Sequence, residues 1–325
     1  MEQKTIRRIG ILTSGGDAPG MNSAIRAVVR AACAQGISVL GIRRGYSGLI
    51  NADIVEMTAR SVDGLNTRGG TMLYTARCKE LMTPEGLQKA ADTCKYLGID
   101  GLVCCGGDGT FRGARELCGL GVPCIGVPCT IDNDISCSDY TIGFDTACNT
   151  AVQCIDKLRD TMQSHERCSV VEVMGRHAGY LALDVGCAVG ATATLIPERE
   201  IDFDTVVIEK MRMGRIKGRN HHIIIVAEGY GSAAEVAERI HEATGIETRL
   251  TILGHIQRGG VPTTKDRVMG TVMGYAAVQA LIDGKSNRVI VSKGNQVVDL
   301  DITEGLNQKK TLDPFLVSAL DRVTI

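Results

Sequence analysis

The sequence predicts an α/β protein of two doubly wound domains, each a mostly parallel sheet with helices on both faces and the ligand site in the cleft between them. Three observations predict it. Short β-branched runs alternate with amphipathic helical stretches along the whole chain, which is the pattern of parallel strands joined by crossover helices. Several runs end in glycine-rich or acidic turns, where ligands of such folds gather. The 325 residues also exceed what one ordinary core serves.

Residues 9–13, 39–42, 102–105, 124–127, 169–173 and 222–227 read as buried strands, because each is a short apolar run bounded by turn residues. Between them, Met21, Ala24, Ile25, Val28, Val29 and Ala32 keep the i, i+3, i+4 spacing of an apolar helix face, and Ala147, Ala151, Cys154, Ile155 and Leu158 do the same. Thr83 followed by Pro84 is an N-cap with proline at the first helical position, and Gly98 supplies the stop. No repeat of solenoid period and no low-complexity segment interrupts this order.

Lys plus Arg (36) balances Asp plus Glu (37), so no basic stripe points to nucleic acid and any cationic pocket must be local. The apolar run after the N-terminal basic residues meets Ser14, Gly15 and Gly16 too early for a signal peptide, and no stretch reaches the length of a membrane span. Thirteen cysteines, scattered and never spaced Cys-x-x-Cys, signal neither a disulfide framework nor a zinc site and place the chain in a reducing, cytoplasmic compartment.

The first strand runs through Ser14-Gly15-Gly16-Asp17-Ala18-Pro19-Gly20 directly into a helix, aiming free backbone N–H groups and a helix N-terminus at whatever binds there. Phosphate suits such a junction, although a structural glycine turn is an equal reading of it alone. Met21 and Asn22 stand where a Walker loop needs Lys and Ser or Thr. A second junction, Gly106-Gly107-Asp108-Gly109-Thr110, repeats the strand–glycine–helix arrangement, and its Asp108 could hold a magnesium ion bridging phosphates or simply cap the helix. A third strand ends in Thr130-Ile131-Asp132-Asn133-Asp134. Its paired carboxylates suit a general base beside a metal–phosphate site, or an Asx-rich turn. Met174-Gly175-Arg176, Glu228 and Gly254-His255-Ile256-Gln257-Arg258-Gly259-Gly260 follow further apolar runs, and Arg77, Arg167 and Arg249 add guanidinium groups suited to an anionic ligand. The residues therefore read as magnesium-assisted phosphoryl transfer from a nucleotide to a phosphorylated hydroxyl compound.

From Thr13-Ser14-Gly15-Gly16-Asp17-Ala18-Pro19-Gly20-Met21-Asn22 onward, with these motifs in order over nearly the whole length, the chain resembles the bacterial 6-phosphofructokinase family. The resemblance implies an ATP-dependent glycolytic kinase acting on the 1-hydroxyl of fructose 6-phosphate. It implies Asp132 as catalytic base, Thr130 as its neighbour in substrate binding, Asp108 as magnesium ligand and Asp134 as accessory acid. Gly16, Arg77, Cys78, Gly107, Asp108, Gly109 and Thr110 correspond to ATP contacts, with Arg77 also steadying the transferred phosphoryl. Met174, Gly175, Arg176, Glu228, His255 and Arg258 correspond to sugar-phosphate contacts. Arg167 and Arg249 match residues lent by a neighbouring subunit to the 6-phosphate, in a homotetramer. The implied domains are 1–142 with 256–306 for ATP and magnesium, and 143–255 with 307–325 for the sugar phosphate.

The chain also departs from the family pattern. Pyrophosphate-dependent relatives generally carry an acid where Gly109 sits and a lysine where Cys129 sits, so Gly109 argues for ATP, while Cys129 matches neither group and reads as a small buried side chain. Cys78 stands where an aromatic is common. Arg26, Arg30, Arg159, Lys217, Arg219 and His221 resemble the family's effector pocket, or a solvated face. Thr192 replaces a glutamate that binds the effector's metal, Ala59 an arginine and Asn220 a lysine, which predicts weakened or altered regulation by ADP and phosphoenolpyruvate. The rival readings are a pyrophosphate-dependent phosphotransferase, a lipid or NAD kinase sharing Gly-Gly-Asp-Gly, and a nucleotide-sensing paralogue without turnover. Retention of Asp108, Asp132 and Asp134 argues against the last.

Overall fold

A computed structural model describes residues 6–323. Its strands are β1 (Arg8–Thr13), β2 (Ser38–Ile42), β3 (Ile54–Met57), β4 (Gly101–Gly106), β5 (Cys124–Pro128), β6 (Cys168–Val173), β7 (Ala193–Leu195), β8 (His222–Ala227), β9 (Thr248–Ile252), β10 (Arg288–Lys293) and β11 (Gln296–Asp301). Its helices are α1 (Met21–Ala34), α2 (Gly45–Ile50), α3 (Pro84–Tyr96), α4 (Asp108–Gly119), α5 (Phe144–His165), α6 (Tyr180–Ala188), α7 (Lys210–Ile216), α8 (Ala233–Thr244), α9 (Thr264–Ile282), α10 (Ile302–Leu306) and α11 (Pro314–Val323). The six strands read from sequence all form, each within a residue of its expected ends. The chain divides into two compact units, one of residues 6–131, 135–146 and 258–310, the other of 132–134, 147–257 and 311–323.

In the first unit, the described strands form a seven-stranded sheet in the order β11-β10-β5-β4-β1-β2-β3. β2, β1, β4, β5 and β10 run parallel, and antiparallel β3 and β11 close the edges. β1 and β4 are buried along nearly their whole length because helices cover both faces, which explains their continuous apolar sequences. Phe111 and Leu117 of α4 pack with Leu12, Ile42 and Leu102 of the strands on one face. On the other, α1 lies against α9 so closely that a Cβ on Gly270 would come 2.9 Å from the Gly20 carbonyl, and one on Gly274 2.7 Å from that of Ala24. Thr83 caps α3 through its hydroxyl, which accepts from the Gly86 N–H at 3.1 Å, and Gly98 follows that helix at φ +63°.

In the second unit, β7-β8-β6-β9 form a four-stranded parallel sheet. Val170, Leu195, Ile224 and Val226 of that sheet bury against Phe203, Val207 and Met211 and against Val236 and Ile240 of α8. Thirteen cysteines are free thiols, and among the described residues no helix is long and apolar enough to cross a membrane.

Candidate active site

Connections leave β1 toward β2 on one side and β4 toward β5 on the other, so the carboxyl ends of β1 and β4 form the topological switch point of the first unit. The two glycine-rich junctions emerge there side by side. Ser14 N–H donates to the Cys105 carbonyl at 2.9 Å, and the Thr110 hydroxyl donates to the Ser14 carbonyl at 3.3 Å. The Thr75 hydroxyl donates to the Gly15 carbonyl at 2.7 Å, and exposed Arg77 and half-buried Cys78 follow it in sequence. Arg258 donates from its guanidinium to the Asp17 carbonyl at 3.2 Å, and a Cβ on Gly16 would come 2.6 Å from the same group. Asn22 holds the 68–72 segment through hydrogen bonds to the Arg68 and Gly69 carbonyls and from the Met72 N–H.

The glycines of the second junction fall into two kinds. Gly106 is required by the protein itself, since a Cβ there would meet the Thr110 hydroxyl at 2.3 Å and the Ser14 carbonyl at 2.5 Å. Around Gly107 and Gly109, by contrast, no heavy atom lies within 4 Å of an added Cβ. Nothing in the packing demands glycine at either position, and the space they leave adjoins the N-terminus of α4, where N–H groups lack helical acceptors.

Asp108 is the first residue of that helix. Burial raises its carboxyl above the usual aspartate range, with the nearby Arg112 charge opposing the shift. A divalent cation at this carboxylate would offset the same desolvation. Among the described residues no cluster of three or more His, Cys, Asp or Glu side chains could form a protein cage for a metal. A single carboxylate fits magnesium, which takes one or two carboxylates and completes its shell with phosphate oxygens and water, and does not fit a structural zinc ion.

The turn after β5 is anchored from below. Cys129 N–H donates to the Gly106 carbonyl at 2.9 Å, Ile142 N–H to the Pro128 carbonyl at 3.0 Å, and the Thr141 hydroxyl to the Thr130 carbonyl at 2.7 Å. Cys129 is buried, and burial together with the Cys105 thiol raises its own thiol well above the ordinary value. Thr130 and Ile131 lead to Asp132, only 3% exposed, and to Asn133 at φ +50°, both within the second unit's 132–134 segment. Asp134 lies near Tyr180, whose hydroxyl is raised by burial, then by Glu198 and Asp134.

Sequence reasoning missed the residue that secures residues 140–146. Asp266 of α9 is wholly buried, and its carboxylate accepts from the Tyr140 hydroxyl at 2.5 Å, the Gly143 N–H at 2.6 Å, and the Thr146 N–H and hydroxyl at 2.9 and 2.5 Å. Burial raises its carboxyl, and these donors pull it back. The sole signal in the sequence was an acid three residues after Thr263, which reads as an ordinary helix cap.

In the second unit, the turns after β6, β8 and β9 meet at the carboxyl end of the sheet. Met174 N–H donates to the side chain of buried Gln257 at 3.3 Å, Gln257 donates to the Gly254 carbonyl at 3.1 Å, and Glu228 N–H bonds the Val173 carbonyl at 2.9 Å. Arg176 holds φ +56°, an uncommon conformation for a side chain of its size, on a turn packed so closely that a Cβ on Gly229 would come 2.4 Å from its carbonyl. Exposed Arg176, Glu228 and His255 are thus presented on neighbouring turns.

Arg167 and Arg249 are elsewhere. Arg167 directly precedes β6, and Arg249 pairs with Ser169 at the start of that strand, so both sit at the amino end of the sheet. A strand of this length puts them roughly 15–20 Å from the Met174 turn. There Glu247 bridges them, accepting from Arg167 at 2.7 Å and from the Arg249 guanidinium.

Of the expected effector residues, Arg159 and Arg219 donate to the consecutive carbonyls of Val189 and Gly190, with burial and the Arg159 charge lowering the Arg219 guanidinium. His221 is lowered by burial, then by Arg219 and Arg159, which marks a local cationic cluster, and Lys217 is an exposed residue just after α7. Arg26 and Arg30 lie on α1 in the first unit, where Arg30 pairs with Asp63 at 2.5 Å. Thr192 is buried, with its hydroxyl 3.3 Å from the ring nitrogen of His222.

Comparison with known proteins gives these features a common source. The phosphofructokinase family model matches residues 8–281. An ATP-dependent 6-phosphofructokinase of Clostridium botulinum (strain Loch Maree / Type A3) is 54% identical over 96% of this chain and 97% of its own. One of Bacillus pumilus (strain SAFR-032) is 54% identical over 95% and 96%. A solved phosphofructokinase of Saccharomyces cerevisiae, 34% identical, superposes with a TM-score of 0.88 over 98% of this chain, which spans 47% of the yeast chain. With two near-full-length relatives at this identity and a family match across both glycine junctions, the acidic turn and the strand-end turns of the second unit, the chain belongs to the phosphofructokinase family.

Proposed function

We propose that the protein is a glycolytic kinase that transfers the γ-phosphoryl of Mg-ATP to the 1-hydroxyl of fructose 6-phosphate, giving fructose 1,6-bisphosphate and ADP. The observation that carries the choice of donor is the open space at Gly107 and Gly109, two glycines that no neighbouring atom requires, beside a helix N-terminus at the switch point. An acidic side chain at residue 109 would enter that space and repel a nucleotide's phosphates. Cys129, buried in apolar surroundings, fills the interior and leaves the donor unchanged.

Asp132 takes the proton of the 1-hydroxyl as that oxygen attacks in line, with Thr130 fixing the hydroxyl and Asp134 assisting as a second acid. Arg77 balances charge on the transferred phosphoryl, and Gly16, Cys78 and residues 107–110 hold the nucleotide. Asp108 would carry magnesium, which when bound neutralises charge on the phosphate oxygens. Met174, Gly175, Arg176, Glu228, His255 and Arg258 bind the sugar phosphate. Positioning and charge neutralisation account for most catalysis of this kind. The domain division is that of the family, with 1–142 and 256–306 binding ATP and 143–255 and 307–325 the sugar phosphate.

The position of Arg167 and Arg249 at the amino end of their sheet supports a homotetramer in which they complete a neighbour's site, since they cannot reach the Met174 turn of their own unit. The buried Thr192–His222 contact supports altered regulation, because it occupies the position where a metal-binding glutamate would serve an effector. Activation by ADP is expected to be shallow, and a steep sigmoidal-to-hyperbolic conversion of the fructose 6-phosphate curve by ADP would refute this.

The donor is tested by following fructose 1,6-bisphosphate in parallel reactions with magnesium and either ATP or pyrophosphate. Product with ATP alone is expected. Product with pyrophosphate alone would overturn the donor assignment, and silence with both would overturn the activity.

A further inference from the structure

We propose that Asp266 is a positioning residue for the transfer step, one whose carboxylate sets the place of the turn leading to Asp132; the inference rests on the reading of Asp132 as the base. Three segments of the first unit that hold or support candidate site residues converge on this side chain. The 140–146 segment donates to the carboxylate from the Tyr140 hydroxyl, the Gly143 N–H and both the N–H and the hydroxyl of Thr146. That segment in turn supports the acidic turn. Ile142 pairs in parallel with Cys129 and donates its N–H to the Pro128 carbonyl, and the Thr141 hydroxyl donates to the Thr130 carbonyl just before Asp132.

The first glycine junction is the second segment. A Cβ on Gly20, its last residue, would come 3.2 Å from the Asp266 Cβ, and one on Gly143 would come 2.6 Å from the Ala18 Cβ. The third is the 258–263 segment, which begins with Arg258. Its Thr263 N–H donates to the Thr146 hydroxyl at 3.1 Å, while the Thr263 hydroxyl accepts from the Asp266 N–H at 3.4 Å.

A wholly buried carboxylate carries a desolvation cost that an apolar side chain avoids. What it adds here is direction. Oδ1 accepts from Tyr140 and Gly143 and Oδ2 accepts twice from Thr146, so every donor is aimed at a fixed point. An amide at residue 266 accepts through its oxygen alone, and its NH2 group faces one of the two donor pairs. Each pair includes a backbone N–H, which cannot reverse its role. In Asp266→Asn the 140–146 segment therefore has to shift, and the acidic turn bonded to it shifts as well. A misplacement of about 1 Å at reacting groups costs on the order of 10²-fold in rate.

The test is a double-mutant cycle on the whole chain. Rates are taken with whichever donor the wild type uses, ATP or pyrophosphate, so the donor assignment can fail without deciding this one. Asp266→Asn, shown by circular dichroism and urea unfolding to be fully folded at the assay temperature, is expected to lower kcat by about 10- to 10²-fold, with Michaelis constants within about threefold of wild type. Added to Asp132→Asn, the same substitution is expected to cost less than about threefold more, because a displaced base and a missing base lose the same step. Tyr140→Phe keeps the ring and removes one donor, and it serves where Asp266→Asn does not fold. Its expected loss in kcat is roughly three- to tenfold, with the same non-additivity. A fully folded variant with wild-type kcat would overturn the proposal, and so would a loss that multiplies in full onto that of Asp132→Asn. Near-normal turnover of Asp132→Asn by itself would overturn the base assignment, and the positioning role with it.

Discussion

With Asp132 as the proposed general base, Asp132→Asn is expected to lower turnover by about 10²- to 10⁴-fold at saturating ATP and fructose 6-phosphate, the range for losing such a group. The substitution keeps the size of the side chain and its capacity to accept a hydrogen bond, so the binding of both substrates survives. What is lost is the ability to take a proton as the oxygen attacks. The loss corresponds to about 3–5 kcal/mol of transition-state stabilisation. The Michaelis constants therefore move far less than kcat. Asp132 is nearly enclosed and directly follows a turn held by the Cys129 and Thr141 hydrogen bonds. Steady-state rates at pH 8 are the measurement. A variant with near-normal turnover would place the base elsewhere.

Asp266→Ala destabilises the first unit by about 3–5 kcal/mol, because it strands the Tyr140 hydroxyl, the Gly143 N–H and the Thr146 donors in a buried site. Urea unfolding followed by fluorescence and circular dichroism reads this directly. A loss under 1 kcal/mol would mean that water replaces the carboxylate at no cost. The pH dependence has a definite sign. Burial raises the folded-state carboxyl above its unfolded value, so its contribution is fully present below the unfolded pKa and falls as pH rises through the folded one. The stability gap between wild type and Asp266→Ala should narrow from acid toward neutral pH, and a widening gap would contradict the burial argument.

Asp266 also marks where sequence reading stops. The six strands and the glycine turns were legible because their signals are local: an apolar run, a break, a helix start. The Asp266 partners lie 120 to 126 residues away, and no spacing rule connects them. α9 itself carries no periodic stripe, since it buries Met273, Ala277 and Leu281 while exposing Val268, Val272 and Tyr275, and apolar residues therefore surround it. β3 and β11 escaped because edge strands mix exposed and half-buried residues, and β7 because it is three residues long. β10 has an apolar centre, Val289 to Val291, and was legible in principle. In the site, phosphate-binding loops and paired acids could be read from residue types. The roles of Arg77, Cys78, Arg167 and Arg249 came through the family resemblance, since an isolated arginine or cysteine has no local signature.

The order of strands in the first unit has a consequence for biosynthesis. β5 receives its outer neighbour from β10, and α1 receives its covering helix from α9, both encoded more than 150 residues later. At ordinary elongation rates the growing chain carries an unpaired hydrophobic strand edge and an uncovered helix face for on the order of 10–30 s. During that interval the nascent chain presents the kind of surface that templates association between chains. A chain that stops between the end of β5 and the start of β10 therefore carries a sheet that lacks its border strand.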